Sequence, residues 1–342
     1  MWAMAGRRAV HLSLALLAVS LLAVEGVLLA PRLNGVAAAL AEASWPLLLL
    51  AIAAQLLSFA AFAAMYRQML RSGRLHVPLR QVGGLVLAAN ALSATLPAGS
   101  AVATGYSFQR MRRLGASIPL ATWTVAITGL ISGATFTAMA VAGTFSVGGR
   151  SGGALSVAVS CGALLAVALM MRAAAQRPHV LTAVGHRLHR AVNRMRRREP
   201  STDADRVEQF VAQLGAIRPR SFDWLAAVSY AALNWAGDVA CLVLSCHAVG
   251  LSHLSPQLIL LTYSADAAAG IVQLLPGGLG TVDGALVVSL VNGGVGVALA
   301  TAGVVIYRLI SFVLMAAIGW VVWFAVRNRT MTRIGSSNDR AP

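Results

Sequence analysis

LPGGLGTVDG, residues 275–284, and LPAG, residues 96–99, interrupt two otherwise apolar stretches of this 342-residue chain. Proline has no amide hydrogen with which to continue a helix, and its ring clashes with the preceding turn. Glycine weakens a helix by about 1 kcal/mol relative to alanine. Each string therefore ends one helix and lets another begin. Pro97 and Pro276 lie 179 positions apart, and that offset organises the rest of the sequence.

Of the residues, 58% are hydrophobic and 11% charged, the charged share being about half that of a soluble domain. Twenty-seven basic and eleven acidic side chains fall well short of the roughly 80–90 charges a soluble chain of this size carries. A water-soluble enzyme is excluded. All the basic residues are arginine and there is no lysine, which removes the Walker phosphate loop and Schiff-base chemistry. Cys161, Cys241 and Cys246 all lie in apolar runs. Their odd number and their spacing favour neither a disulfide framework nor a zinc site. No metal or cofactor is expected.

Runs long enough to cross a bilayer, about 20 residues, lie near 10–30, 45–65, 118–145, 151–171, 222–247 and 298–326. The first carries Glu25 and has no small-residue cleavage site before Pro31, so it reads as a retained helix rather than a signal peptide. The weaker regions, about 81–116 and 256–296, are the two that contain the breaks.

Arginine placement sets the orientation. Arg7 and Arg8, four arginines in 66–80, Arg110, Arg112 and Arg113, eleven in 172–221 and four from Arg327 onward fall on one side; only Arg32 and Arg150 fall on the other. Both termini are therefore expected in the cytoplasm, in an inner, or cytoplasmic, membrane. A single crossing by 81–97 would strand Arg110, Arg112 and Arg113 outside. A hairpin that dips in and returns keeps them inside. The same parity holds for 256–296; two full crossings would also satisfy it, but about 40 residues barely cover two spans and a turn, so both regions read as re-entrant, broken hairpins.

Shifting span 45–65 by 179 falls within 222–247, and shifting residue 118 reaches 297, where the last span begins. Each half reads as span, span, broken hairpin, span, with halves at about 10–145 and 151–326 and a basic linker at 172–221. The halves begin on opposite sides. The expected fold is all-α, one integral membrane domain over 1–326 with about six full spans and two broken hairpins in an inverted repeat, followed by a cytoplasmic tail at 327–342. Matched Gly/Pro interruptions in inverted repeats point to a transporter site near the bilayer midplane. The structural breaks are Pro97, Gly99, Pro276, Gly277, Gly278 and Gly280. The plainer alternative is that they merely kink packed helices.

Few ionisable residues lie at depth: Asp238, Asp266, Asp283 and Arg308. A central charge costs roughly 2.5–3.5 kcal/mol on insertion scales, so such groups pair or mark a polar pathway. Arg308 is roughly 15 Å into its span at 1.5 Å per residue, and Asp283 follows the Gly-rich break. Their pairing, or joint exposure to one polar cavity, is expected. Arg308 then receives an anionic headgroup and Asp283 holds or releases it; the alternative is a static salt bridge. Asp238 and Asp266 are weaker candidates, satisfied as well by a hydroxyl or water. Tyr307 is a potential interior donor or an ordinary packed aromatic. Asn90 lines the cavity or joins two helices.

GYSFQRMRRLG, residues 105–115, reads as an elbow along the cytoplasmic interface. There Arg110, nearest the break, is the substrate candidate, and Arg112 and Arg113 anchor to phosphates. The loop 172–221 lacks nucleic-acid motifs and interleaved aromatics, and attraction to anionic lipid explains its arginines more simply. No nucleic-acid partner is expected.

LPAGSAVATGY…QRMRRLG and LLPGGLGTVDGALV…VVIYRLISF are similar to strings in the lysylphosphatidylglycerol synthase transmembrane-region family, whose members are also called flippase-like integral membrane proteins. The resemblance covers about 45–326, and it implies a membrane region associated with moving lipids between leaflets. Some members add a soluble aminoacyltransferase domain. Only 16 residues follow Val326 here, so lysyl-lipid synthesis is not expected. The family usually places Glu where this chain has Asp283, and many relatives carry an acid where it has Ser100 and Ala101.

The expected function is to bind or translocate an anionic lipid or a lipid-linked sugar between leaflets, without catalysis. One rival is an accessory subunit of a lipid-linked glycosyltransferase, which would then be the partner. The other is a lipid-modifying enzyme, which needs paired acids or a metal cluster facing the membrane surface.

Overall fold

The structure, a computed structural model, describes residues 41–96, 98–145, 213–214, 217, 219–251, 254–271 and 280–338. The spans expected near 10–30 and 151–171, most of the basic loop, Pro97, Pro276, Gly277, Gly278 and the side chain of Asp266 lie outside the described residues. The helices are α1 (Trp45–Ser72), α2 (Leu79–Thr95), α3 (Gly99–Arg113), α4 (Ile118–Phe145), α5 (Ser221–Ala248), α6 (Pro256–Ile271), α7 (Thr281–Asn292), α8 (Val297–Arg308) and α9 (Met315–Asn338), with a π-helical turn, Leu309–Leu314, joining α8 to α9. No strand occurs among the described residues. This is an all-α membrane fold.

Four segments are long and apolar enough to cross a bilayer: Trp45–Ser72, Ile118–Met139, Ser221–Ala248 and Val297–Arg327. They match four expected spans. Large apolar side chains such as Trp45, Leu49, Phe222, Leu225 and Val321 point outward, as they do where lipid is the solvent. Near the end of the last span Trp320, Trp323 and Phe324 stack edge to face, and the Arg327 guanidinium lies 5.2 Å from the Trp323 ring. Tryptophan over arginine is the composition of a membrane–water interface. The helix continues beyond Arg327 to Asn338.

Both broken regions are pairs of short helices. α2 has 17 residues and α3 has 15; α6 has 16 and α7 has 12. None reaches the roughly 20 residues a single crossing needs. In the first region one helix ends at Thr95 and the next begins at Gly99, with Ala98 at φ 52. Gly99, expected within the break, is instead the first residue of α3. Its role is close approach, because a Cβ there would collide with the Ser93 carbonyl. The elbow expected at 105–115 is also corrected. α3 stays helical through Arg113, and Gly115 at φ 98 makes the turn.

The repeat extends to individual hydrogen bonds. The α3–α4 turn contains Leu114 N–H to Met111 O, Gly115 N–H to Arg112 O, Ala116 N–H to Met111 O and Ala121 N–H to Ser117 O. The α7–α8 turn contains Gly293 to Leu290, Gly294 to Val291, Val295 to Leu290 and Ala300 to Gly296, every donor and acceptor 179 positions later. Gly115 and Gly294 both take positive φ, 98° and 90°, which glycine adopts without steric cost. The sequence order of long helix, two short helices and long helix thus occurs twice.

The described chain divides into two compact units whose boundaries fall inside α1, α2, α3 and α5. One holds α1 up to Ala60, α2 from Gly83, α3 to Tyr106, and everything from Asn234 onward. Its helices pack through glycine. Gly237 of α5 lies against Ala54 and Ser58 of α1, Gly303 of α8 against Cys246 of α5, and Gly319 of α9 against Leu87 and Ala91 of α2. Small residues let backbones approach closely where lipid supplies no hydrophobic drive between helices. Asn234 adds polar glue, its amide donating to Ser58 Oγ at 2.7 Å. In the other unit Met65, Met69, Ile131, Ala227 and Ala231 form the core, with Trp123 and Trp224 edge to face beside them.

A candidate lipid-headgroup site

The first unit contains a polar cluster built from α5, α6, α7 and α8. Asp238, midway along α5, accepts hydrogen bonds at one carboxylate oxygen, Oδ2, from the Tyr263 hydroxyl of α6 at 2.8 Å and the Tyr307 hydroxyl of α8 at 3.0 Å. Gln55 of α1 also hydrogen-bonds this carboxylate. Tyr263, Tyr307 and Gln55 are all buried. Tyr263 is steadied by the edge of Trp235, ring centroids 6.3 Å apart. The helix positions explain the convergence. Asp238 is one turn beyond Asn234 and beside Gly237, where α5 lies closest to α1 and Gln55 is one turn from Ser58.

The next residue on α8 is Arg308. Its Nε lies 2.6 Å from Asp283 Oδ1, with side-chain exposures of 15% and 28%. The contact is a close charge pair. Asp283 has a second task. It is the third residue of α7, and its Oδ2 accepts the Gly280 amide hydrogen at 3.1 Å. A carboxylate there satisfies an orphan donor and faces the positive end of the helix dipole. Gly280 takes φ 77 to start the helix.

Arg308 is the last residue before the π turn. Single π turns inside α-helices occur mostly at functional sites. Here the turn places Phe312 under the guanidinium, Cζ 5.0 Å from the ring centroid, and Phe312 packs on Ala94 at the end of α2. The first break thus borders the same arginine through one aromatic ring. On the α6–α7 side, the Ser289 hydroxyl hydrogen-bonds Thr262, next to Tyr263, at 3.2 Å.

Of the residues expected from sequence, Arg308, Asp283, Tyr307 and Asp238 come together. Asn90 lies half-buried on α2, one turn before Ala94, in the same unit. Arg110 lies in the last turn of α3 and belongs to the other unit, as do Arg112, whose guanidinium closes the helix end on Ala116 O, and Arg113. Sequence reasoning missed Tyr263 and Gln55. Gln55 carried a signal, as an amide within the apolar run WPLLLLAIAAQLL. Among the described residues no three His, Cys, Asp or Glu side chains group as a metal site requires.

The cluster offers one guanidinium, two carboxylates and two phenolic hydroxyls to whatever enters. Such groups supply hydrogen-bond donors, acceptors and one fixed positive charge. The family model for the lysylphosphatidylglycerol synthase TM region matches residues 10–319. The chain belongs to that family and is an integral membrane protein. No curated protein sequence matches it.

Proposed function

We propose that this protein binds an anionic lipid, or a lipid-linked phosphate, by its headgroup at Arg308 and carries it between leaflets. The observation that supports this most is the placement of Arg308. A cation stands about 16 Å into a span by helix rise, beside a π turn and held by a carboxylate on a separate short helix. Arginine presents a planar fork matched to phosphate, so a headgroup can take the place of Asp283. The tyrosines keep a polar surface beside it. The arginine distribution supports an inner-membrane orientation with both termini cytoplasmic. In this reading the protein is a carrier rather than an enzyme.

The test is thermal unfolding of the purified protein in detergent with added phosphatidylglycerol or phosphatidylcholine. Ligand that binds only the folded state raises the melting temperature, here by about 3 °C for the anionic lipid. Arg308→Ala is expected to lose that selective shift. Equal shifts for both lipids, or for both proteins, would remove the headgroup assignment.

A further inference from the structure

The charge of the cluster raises a difficulty that the headgroup reading leaves open. With both carboxylates ionised, Asp238 and Asp283 set two negative charges against the single positive charge of Arg308, a net of one negative. Admitting a phosphate monoanion would add a second uncompensated negative charge in a low-dielectric setting, where such repulsion is poorly screened. A proton taken up with the lipid leaves the total unchanged.

The groups around Asp238 accommodate such a proton. Both tyrosine hydroxyls converge on Oδ2, so a proton on the carboxyl is carried by Oδ1. Gln55, 3% exposed, hydrogen-bonds this carboxylate while its own Oε1 is buried without a hydrogen-bond partner. A half-turn of the amide exchanges its N–H for that oxygen. Gln55 can then donate to the carboxylate or accept from the carboxylic acid. Among the described residues, the titratable and charged groups facing Asp238 are Tyr263 from α6, Tyr307 and Arg308 from α8, and Cys241 on its own helix, with Asp283 of α7 paired to Arg308. Arg308 directly follows Tyr307 on α8 and pairs with Asp283, so its departure toward a phosphate takes a positive charge away from the cluster.

Building on the headgroup reading, we propose that one proton accompanies each anionic lipid through the site, carried on Asp238, so that the proton gradient drives lipid movement. In each cycle Arg308 leaves Asp283 for the phosphate, and Asp238 Oδ1 takes a proton from the side that supplied the lipid. Proton and lipid leave together on the other side. No covalent bond to the lipid forms or breaks.

The test uses the full chain in phosphatidylcholine vesicles with a trace of headgroup-intact, acyl-labelled phosphatidylglycerol, an acid exterior one pH unit below the lumen, and a lumenal pH dye. Protein-free vesicles give the background. A coupled carrier concentrates the label in the inner leaflet, up to about tenfold over the outer, the ratio set by one pH unit, and acidifies the lumen as it does so. Asp238→Asn is expected to abolish both the enrichment and the dye signal. Leaflet exchange that is protein-dependent but stops at equal distribution, with no dye response, overturns the coupling and leaves the headgroup reading standing. No protein-dependent movement under any pH condition overturns both. Because the wild-type enrichment alone decides the question, misfolding of the variant does not rescue the proposal.

Discussion

Asp283 joins Arg308 and the start of its own helix through separate oxygens, Oδ1 at 2.6 Å from Arg308 Nε and Oδ2 at 3.1 Å from the Gly280 amide. Aspartate is one methylene shorter than the glutamate usual in the family, and this geometry shows that its reach suffices. Asp283→Ala removes both contacts and is expected to cost about 2–3 kcal/mol, combining a lost cap with a lost, partly exposed ion pair. Asp283→Asn keeps an oxygen for the cap and should cost about half as much. In a double-mutant cycle of Asp283→Ala with Arg308→Ala, a coupling of about 1 kcal/mol in detergent unfolding is expected. Strict additivity would show that the two residues do not interact.

Gly319 of α9 faces the Leu87 carbonyl and Ala91 so closely that an added Cβ would collide with both. Gly319→Ala should therefore destabilise by about 1–3 kcal/mol as an overpacked contact. Gly129 of α4 has open space where a Cβ would go, and Gly129→Ala should stabilise by about 0.5–1 kcal/mol through helix propensity. Unfolding of the two variants by the same method gives opposite signs if the α2–α9 approach is as described.

Asn234→Ala removes the amide that spans α5 and α1 to reach Ser58. Interhelical hydrogen bonds inside membranes contribute about 0.6 kcal/mol on average and about 1.7 at most. A loss toward the upper end is expected, because Ser58 is 1% exposed and its hydroxyl loses this donor. A loss below the resolution of the unfolding measurement would mean that the contact is not maintained in the membrane.

The spans were legible because a 30 Å hydrocarbon layer imposes a length that any apolar helix must meet, as Trp45–Ser72 and Ser221–Ala248 do. The pairing of Asp283 with Arg308 was legible because charges at depth are few and costly, leaving few possible partners. Tyr263 was not. A tyrosine between Thr262 and Ser264 in an apolar run looks the same whether its hydroxyl finds a carboxylate or points to a headgroup. Arg110 attracted attention by its nearness to a break in sequence, yet the helix carries it to the last turn of α3. The π turn after Arg308 leaves no compositional trace, since LISFVL serves an α-helix equally well. The repeat is geometric without being chemical. The positions 179 before Arg308 and Asp283 are Gly129 and Thr104, so the second half alone supplies the charges.

Tyr263→Phe and Tyr307→Phe each remove one donor to Asp238 while keeping the ring. A hydrogen bond to a charged group contributes about 1.5–3 kcal/mol. Each variant is accordingly expected to slow protein-dependent lipid movement by about tenfold, and the double variant by more. Unchanged rates in both single variants would separate Asp238 from the transport path.

Arg308 is the residue proposed to receive the headgroup. The most direct measurement is leaflet exchange of acyl-labelled phosphatidylglycerol in vesicles that hold the wild type, Arg308→Ala or no protein, with circular dichroism verifying that both proteins are folded. Exchange by the wild type is expected well above the protein-free rate, with a fall to that rate for Arg308→Ala. A folded Arg308→Ala protein that exchanges lipid as fast as the wild type would contradict that role.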